Sequence, residues 1–142
     1  MAASSQSFYV NSFTTPQNDD HTYRVNISDY SISEIFSCEP TNNINDNSER
    51  QYMDIAINES SLYYISASGS LYQRSIDNSD SCQFLGSLEK NTNSLAVDYE
   101  NNIYAAGFQD GTGYVYKYSP LTENITLIGN LPNGLIPSGD LF

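Results

Sequence analysis

The chain of 142 residues reads as an all-β protein, a β-propeller with about three four-stranded blades. Three observations predict this. Tyr (12) and Phe (6) stand among many Ser and Asn, with 8 Gly and no Trp. Aromatic and β-branched side chains suit a pleated, half-buried surface, and Ser, Asn and Gly suit the turns between. One phrase of about 40 residues recurs. Finally, no stretch of useful length carries the i, i+3, i+4 apolar stripe of a helix.

The recurrent phrase supplies the elements in order. An apolar residue followed by Tyr stands at Phe8-Tyr9, Leu62-Tyr63 and Ile103-Tyr104. A second Tyr follows each, at Tyr23, Tyr72 and Tyr116. The last two lie in Gly69-Ser70-Leu71-Tyr72 and Gly113-Tyr114-Val115-Tyr116. Next comes an apolar pair with a small residue: Ile35-Phe36-Ser37, Phe84-Leu85-Gly86 and Leu127-Ile128-Gly129. "DIAIN" (Asp54 to Asn58) is echoed by "SLAVD" (Ser94 to Asp98). The unit therefore has strands a ("DIAIN"), b ("SLYYIS"), c ("SLYQRSI") and d ("CQFLGSL"). Its copies span residues 8–52, 53–92 and 93–131 within a single domain of residues 1–142. The first copy has b, c and d, with strand a weak or missing. Residues 137–142 begin a further innermost strand.

Leu62 and Ile103 lie 41 residues apart, and Ile55 and Leu95 lie 40 apart. That period with four strands per unit is the signature of a propeller blade. Positions such as Leu62, Tyr64, Leu71 and Gln73 give each small sheet two faces. One thin sheet cannot cover its own apolar faces, so the next must. The tyrosines suit this packing, each with a large ring and a hydroxyl free to stay wet. A sandwich of about ten strands is the rival all-β architecture, and it leaves the recurrence unexplained.

The b–c and d–a connections vary most in length between copies, and in a meandering blade these emerge at one end. Thr14 to His21 and Glu39 to Arg50 are the longest. Insertions confined to one end of a repeat array often mark a binding side, which draws in Asp20 and Asp110 as candidate binding residues. "NDDH" (Asn18 to His21) and "NINDNSE" (Asn43 to Glu49) carry oxygen side chains but read as loops, the latter without the Gly and final spacing of an EF-hand. "GFQDGTG" (Gly107 to Gly113) reads as a b–c turn.

Five Lys and Arg against 17 Asp and Glu give a formal net charge of −12. Such a surface repels phosphate backbones and anionic bilayers, so neither nucleic acid nor a membrane is an expected partner. Cys38 and Cys82 have no metal-ligand spacing, and His21 is the single histidine. They read as two separate thiols. No G-x-S-x-G is present and His21 lies in a variable loop, so a Ser-His-Asp hydrolase is not expected. No leader is visible in "MAASSQSFYV"; an extracellular or cell-surface setting is expected where a leader has been removed.

Three blades fall short of the four to eight that close a ring. Two routes to completion follow. Residues 137–142 dock as strand a of the first blade, or the chain is one piece of a longer propeller. For the chain alone, the simplest completion is a homodimer with six blades.

"DIAINESSLYYISASGSLYQRSI", "SLAVDYENNIYAAG" and "LIGNLPNGLIPSGDLF" resemble the propeller repeats of secreted surface proteins of the Bacteroidetes. They resemble more loosely the gluconolactonase/regucalcin and NHL-type propellers. The first likeness implies a binding or adhesion module. The second implies a divalent cation, Ca²⁺, held by innermost-strand oxygens, for which Asp54, Ser94 and Asp140 stand at matching positions. The candidate binding residues are therefore Asp54, Ser94, Asp140, Asp110 and Asp20, with no catalytic residue and no required cofactor. The expected function is a non-enzymatic module binding protein or glycan. The alternatives are a calcium-dependent lactonase or a structural subunit of a surface appendage or virus particle.

Overall fold

The structure, a computed structural model, describes residues 6–14, 19–35, 52–77, 82–88, 90–132 and 134–139. The described residues form eleven strands and no helix. The strands are β1 (Ser7–Thr14), β2 (Asp19–Asn26), β3 (Ile32–Ile35), β4 (Tyr52–Ile57), β5 (Ser61–Ser66), β6 (Ser70–Ser75), β7 (Gln83–Ser87), β8 (Asn91–Val97), β9 (Ile103–Gln109), β10 (Thr112–Ser119) and β11 (Asn124–Asn130). They make three antiparallel sheets in chain order: β1-β2-β3, β4-β5-β6-β7 and β8-β9-β10-β11. This is the predicted arrangement of one three-stranded and two four-stranded units.

The copies agree in detail. In the second and third sheets the register shifts at the same two places, before Asp54 and Ser94 in strand a and before Tyr72 and Tyr116 in strand c. Leu88 N donates to Gly69 O at 3.0 Å where the chain leaves the second sheet, and Leu131 N donates to Gly113 O at 2.8 Å where it leaves the third. Asp110 and Gly111 close the β9–β10 hairpin with φ of 52° and 76° between the paired Gln109 and Thr112. That is a two-residue type I′ turn, whose handedness matches the strand twist.

Each sheet is flanked by the next, and the two tyrosine series explain how. Tyr9, Tyr63 and Tyr104 lie on the face of each sheet toward the following copy, here called the front. Tyr23, Tyr72 and Tyr116 lie on the opposite face, the back. Each seam thus takes one ring from each series. Between the first and second sheets, Tyr9 and Ile35 pack on Leu62, Tyr64 and Tyr72. Between the second and third, Tyr63, Ile65 and Leu71 pack on Ile103, Ala105 and Tyr116. Strand β5, covered on both sides, is buried along its whole length. Gly86 on the front of the second sheet lets Ile125 of the third approach, since a Cβ there would lie 2.7 Å from the Ile125 methyl.

The two seams differ in chemistry. In the first, Thr22 donates to Asn11 Oδ1 at 3.1 Å, so the Tyr64 hydroxyl donates to Thr22 Oγ1 at 3.2 Å. Asn11 Nδ2 in turn donates to the Tyr52 carbonyl at 3.4 Å. Tyr64 is fully buried. The expectation that the tyrosine hydroxyls stay wet fails here, because the neighbouring sheet supplies a polar partner. In the second seam, Ile65 and Leu71 take the places of Asn11 and Thr22, and Ala105 takes that of Tyr64.

The expectation of two separate thiols is also corrected: Cys82 is disulfide-bonded. The chain's other cysteine, Cys38, lies outside the described residues. Cys82 packs at the first seam, and continuing the β6–β7 register gives it the place that Ile125 has at the second. No helix among the described residues is long and apolar enough to cross a membrane.

Burial holds the Tyr64 phenol protonated above its ordinary range, against the opposing effects of Thr22 and the Arg74 charge. Burial also raises Tyr116, aided by Tyr114, and Tyr118, aided by Glu123 and Tyr63. A raised folded value means that this stabilisation is complete below about pH 10 and is lost as pH rises through it. Denaturant titrations should therefore show stability falling above about pH 10. Tyr64→Phe should cost about 1 kcal/mol at neutral pH and blunt the alkaline loss. Peptide mapping without reductant should recover the Cys82 peptide joined to that of Cys38, and reduction should cost about 2–4 kcal/mol.

Candidate functional site

The meander places the β1–β2, β5–β6 and β9–β10 turns and the crossings between sheets at one end of the molecule. Of the sequence candidates, Asp20, Asp54, Ser94 and Asp110 lie toward this end. Of the two longest connections there, residues 15–18 and 36–51 lie outside the described residues, and so does "NINDNSE".

Asp54 follows the bulge that opens β4, on the edge strand beside β8. Its Oδ2 accepts the Leu95 N–H from β8 at 2.6 Å, and its Oδ1 accepts the Ile55 N–H at 2.8 Å. The adjacent Ser94 is fully buried, and its hydroxyl donates to Asn93 Oδ1 at 3.2 Å. Asn93 Nδ2 donates to the Pro137 carbonyl at 2.8 Å. The structure thus brings Asp54 and the Ser94-Leu95 peptide together. Neither is simply solvated: Ser94 is enclosed, and the Asp54 carboxylate ties one sheet to the next. Asp110 is exposed at the tip of the β9–β10 turn, apart from this pair. Asp20 lies on β2 opposite Phe13, and Asp140 lies outside the described residues. Among the described residues, no three His, Cys, Asp or Glu side chains converge as metal ligands.

The opposite end holds a constellation that the sequence reading missed. Asn58 opens the β4–β5 turn, where its Oδ1 accepts the N–H groups of Ser60 and Ser61 at 3.0 and 2.7 Å. Its amide donates to the Tyr63 hydroxyl at 3.2 Å and to Asn101 Oδ1 at 2.9 Å. Asp98 does the same in the third sheet. Its Oδ1 accepts Glu100 N and Asn102 N, both at 2.9 Å, and its Oδ2 accepts the Asn102 amide at 2.9 Å and the Tyr104 hydroxyl at 3.0 Å. The Tyr of the apolar–Tyr pair is therefore required twice over, its ring for the seam and its hydroxyl for the turn. The readable signal is an Asn or Asp at the end of strand a, ahead of that pair. The Asn58–Asn101 bond joins the two turns across the seam.

Burial pushes the Asp98 carboxyl up, but the bonds from Asn102, Tyr104 and Glu100 outweigh it and hold it below the ordinary carboxylate range. A lowered folded value gives stabilisation that is present above that range and lost as pH falls through it. Elsewhere, His21 Nδ1 and Glu34 Oε1 meet at 2.5 Å on the back of the first sheet.

Asp54→Ala should loosen the second seam by about 1.5–3 kcal/mol, the range for hydrogen bonds to a charged group, with Asp54→Asn intermediate. Amide hydrogen exchange supplies the check: Leu95 should lose protection while the β5–β6 amides keep theirs. Asp98→Asn should remove the part of acid unfolding that sets in below the ordinary carboxylate range, measured by fluorescence against pH.

No family model matches the chain, and no curated protein matches it. Among solved structures, it is similar to a β-propeller-like protein from Lactobacillus plantarum, a structural genomics target, with 15% identity and a TM-score of 0.55. The match covers 90% of this chain and 37% of that one, so this chain spans little more than a third of that protein's length. Three blade-like antiparallel sheets and this likeness together establish a propeller-type fold.

Proposed function

We propose that this chain is a non-enzymatic propeller module that self-associates and binds a protein or glycan ligand at its turn-bearing end. The observation that carries this reading is the use made of the polar groups. Asp54, Ser94, Asn58 and Asp98 are engaged in tying sheets and turns together, so the chemistry of the innermost strands is that of assembly. The completed form is a homodimer whose two chains contribute six blades, within the four to eight that close a ring. An extracellular or cell-surface setting is part of the proposal and is supported by the Cys82 disulfide, since such bonds persist in oxidising compartments. The exposed Asp110 turn is offered as part of the ligand-facing end, together with Asp20.

Sedimentation velocity at micromolar concentration should give twice the 15.8 kDa chain mass, and electron microscopy should show discrete rings. A stable monomer overturns the assembly reading. A glycan array and a pull-down from cell-surface proteins test the second part. A specific ligand should bind about tenfold more weakly to an Asp20→Ala, Asp110→Ala double variant of unchanged circular dichroism, as loss of about 1.4 kcal/mol implies. Silence in both assays removes the ligand and leaves assembly alone.

A further inference from the structure

We infer that a second copy docks head to tail, the back of its first sheet covering the front of this chain's third sheet. The inference deepens the assembly reading by naming the surfaces and their polarity. Its basis is that the two open faces repeat, position for position, the halves of a seam already inside the molecule.

The front of the second sheet meets the third with Ala56, Tyr63, Ile65 and Leu71. By register, the same places on the front of the third sheet hold Ala96, Tyr104, Ala106 and Val115. All remain apolar or Tyr, and among the described residues no further sheet packs there. Leu131, Leu135 and Pro137 lie against this sheet near Gly113 and Asn93 and Ala106 is already buried, while Ala96, Tyr104 and Val115 stay partly exposed. The back of the third sheet meets the second with Ile103, Ala105 and Tyr116. The same places on the back of the first sheet hold Phe8, Val10 and Tyr23. Phe8 is 49% exposed and Val10 41%. Each internal seam takes one Tyr from each series, and the open faces offer the missing pair, Tyr104 on one and Tyr23 on the other.

A knob and its hole are also both unfilled. Inside the molecule, Ile125 sits over Gly86. Gly129 has the register of Gly86, opposite Val115 as Gly86 is opposite Leu71, and a Cβ built there meets nothing within 4 Å. Ile32 has the register of Ile125, opposite Val25 as Ile125 is opposite Tyr118, and it is 67% exposed. The seam also suits in polarity. Ala106 and Val115 place no hydrogen-bonding demand on Val10, just as Ile65 and Leu71 place none on Ala105. Lys117 lies over the Tyr104 ring on one face and Glu34 stands beside Tyr23 on the other, so opposite charges flank a contact between two strongly acidic chains. The interface is heterologous, and two such contacts close a ring around a two-fold axis.

Complementation tests this. Gly129→Glu fills the hole, and Ile32→Glu charges the knob. Both positions face open space, so each chain should keep its circular dichroism. If either does not, Val115→Glu or Val10→Glu replaces it. Each variant alone should associate at least about tenfold more weakly than wild type, because a charge is buried in the seam. An equimolar mixture should recover a two-chain species by sedimentation, since one intact seam forms between the wild-type front of one chain and the wild-type back of the other. Association of wild type without recovery in the mixture overturns the head-to-tail seam and leaves the assembly reading standing. Loss in only one of the two variants also overturns it, indicating a front-to-front or back-to-back contact. A monomeric wild type removes both.

Discussion

The rest of the structure depends on one constraint: a four-stranded sheet is a single layer with two apolar faces, and a layer cannot bury both against itself. The chain meets it by setting three thin layers, one of three strands and two of four, flank to flank, so that the middle one is covered on both faces. This explains why Leu62, Tyr63, Tyr64 and Ile65 in succession are all buried, a pattern that alternation alone does not allow. Large rings make thin layers meet over enough area. Burying apolar surface stabilises by roughly 25 cal/mol per Å², and each tyrosine offers about 150–250 Å². The hydroxyls remain as the cost, and each of Tyr63, Tyr64 and Tyr104 is given a partner drawn from a turn or from the adjoining sheet.

Seams of common geometry carry different chemistry. Where the first sheet presents Asn11 and Thr22, the second answers with the Tyr64 hydroxyl. Where the second presents Ile65 and Leu71, the third answers with Ala105 and a smaller apolar surface. At the outer margin, the first seam carries Cys82 where the second has Ile125 nested over Gly86. At the inner margin of the second seam, the Asp54 carboxylate crosses to the Leu95 amide. Hydrophobic burial thus holds the flanks together along their middle, and directional bonds fix their edges.

Much of the fold was legible because its signals are periodic. The apolar–Tyr pair, the later Tyr and the apolar pair with a small residue in strand d recur in the same order in each copy, and they located all three sheets and the missing strand of the first. What stayed hidden was relational. That Tyr9, Tyr63 and Tyr104 face one way and Tyr23, Tyr72 and Tyr116 the other depends on cross-strand register, which two strands of known sequence do not reveal until paired. The Asp54–Leu95 bond joins residues 41 apart, and neither residue type announces the other. Asp54 and Ser94 stood out as polar residues opening innermost strands, and the bond from Asp54 to the neighbouring sheet became visible only with the strands in place. The Cys82 bond was missed because pairing rests on distances that cysteine spacing alone does not supply.

The polar pairing at the first seam has a consequence for order. Were the second sheet's back to slide against its own kind of front, the Tyr64 hydroxyl would face Ile65 and Leu71 and find no acceptor, at about 1–3 kcal/mol for a buried unsatisfied group. Were the third sheet's back to meet the first sheet's front, Ala105 would leave Asn11 and Thr22 a void and a dry wall. Near-identical layers therefore carry an address in their interiors. A chain made of look-alike parts thus sets its second sheet, and neither of the others, against the front of its first, which guards that seam against the shuffled arrangements to which duplicated modules are prone.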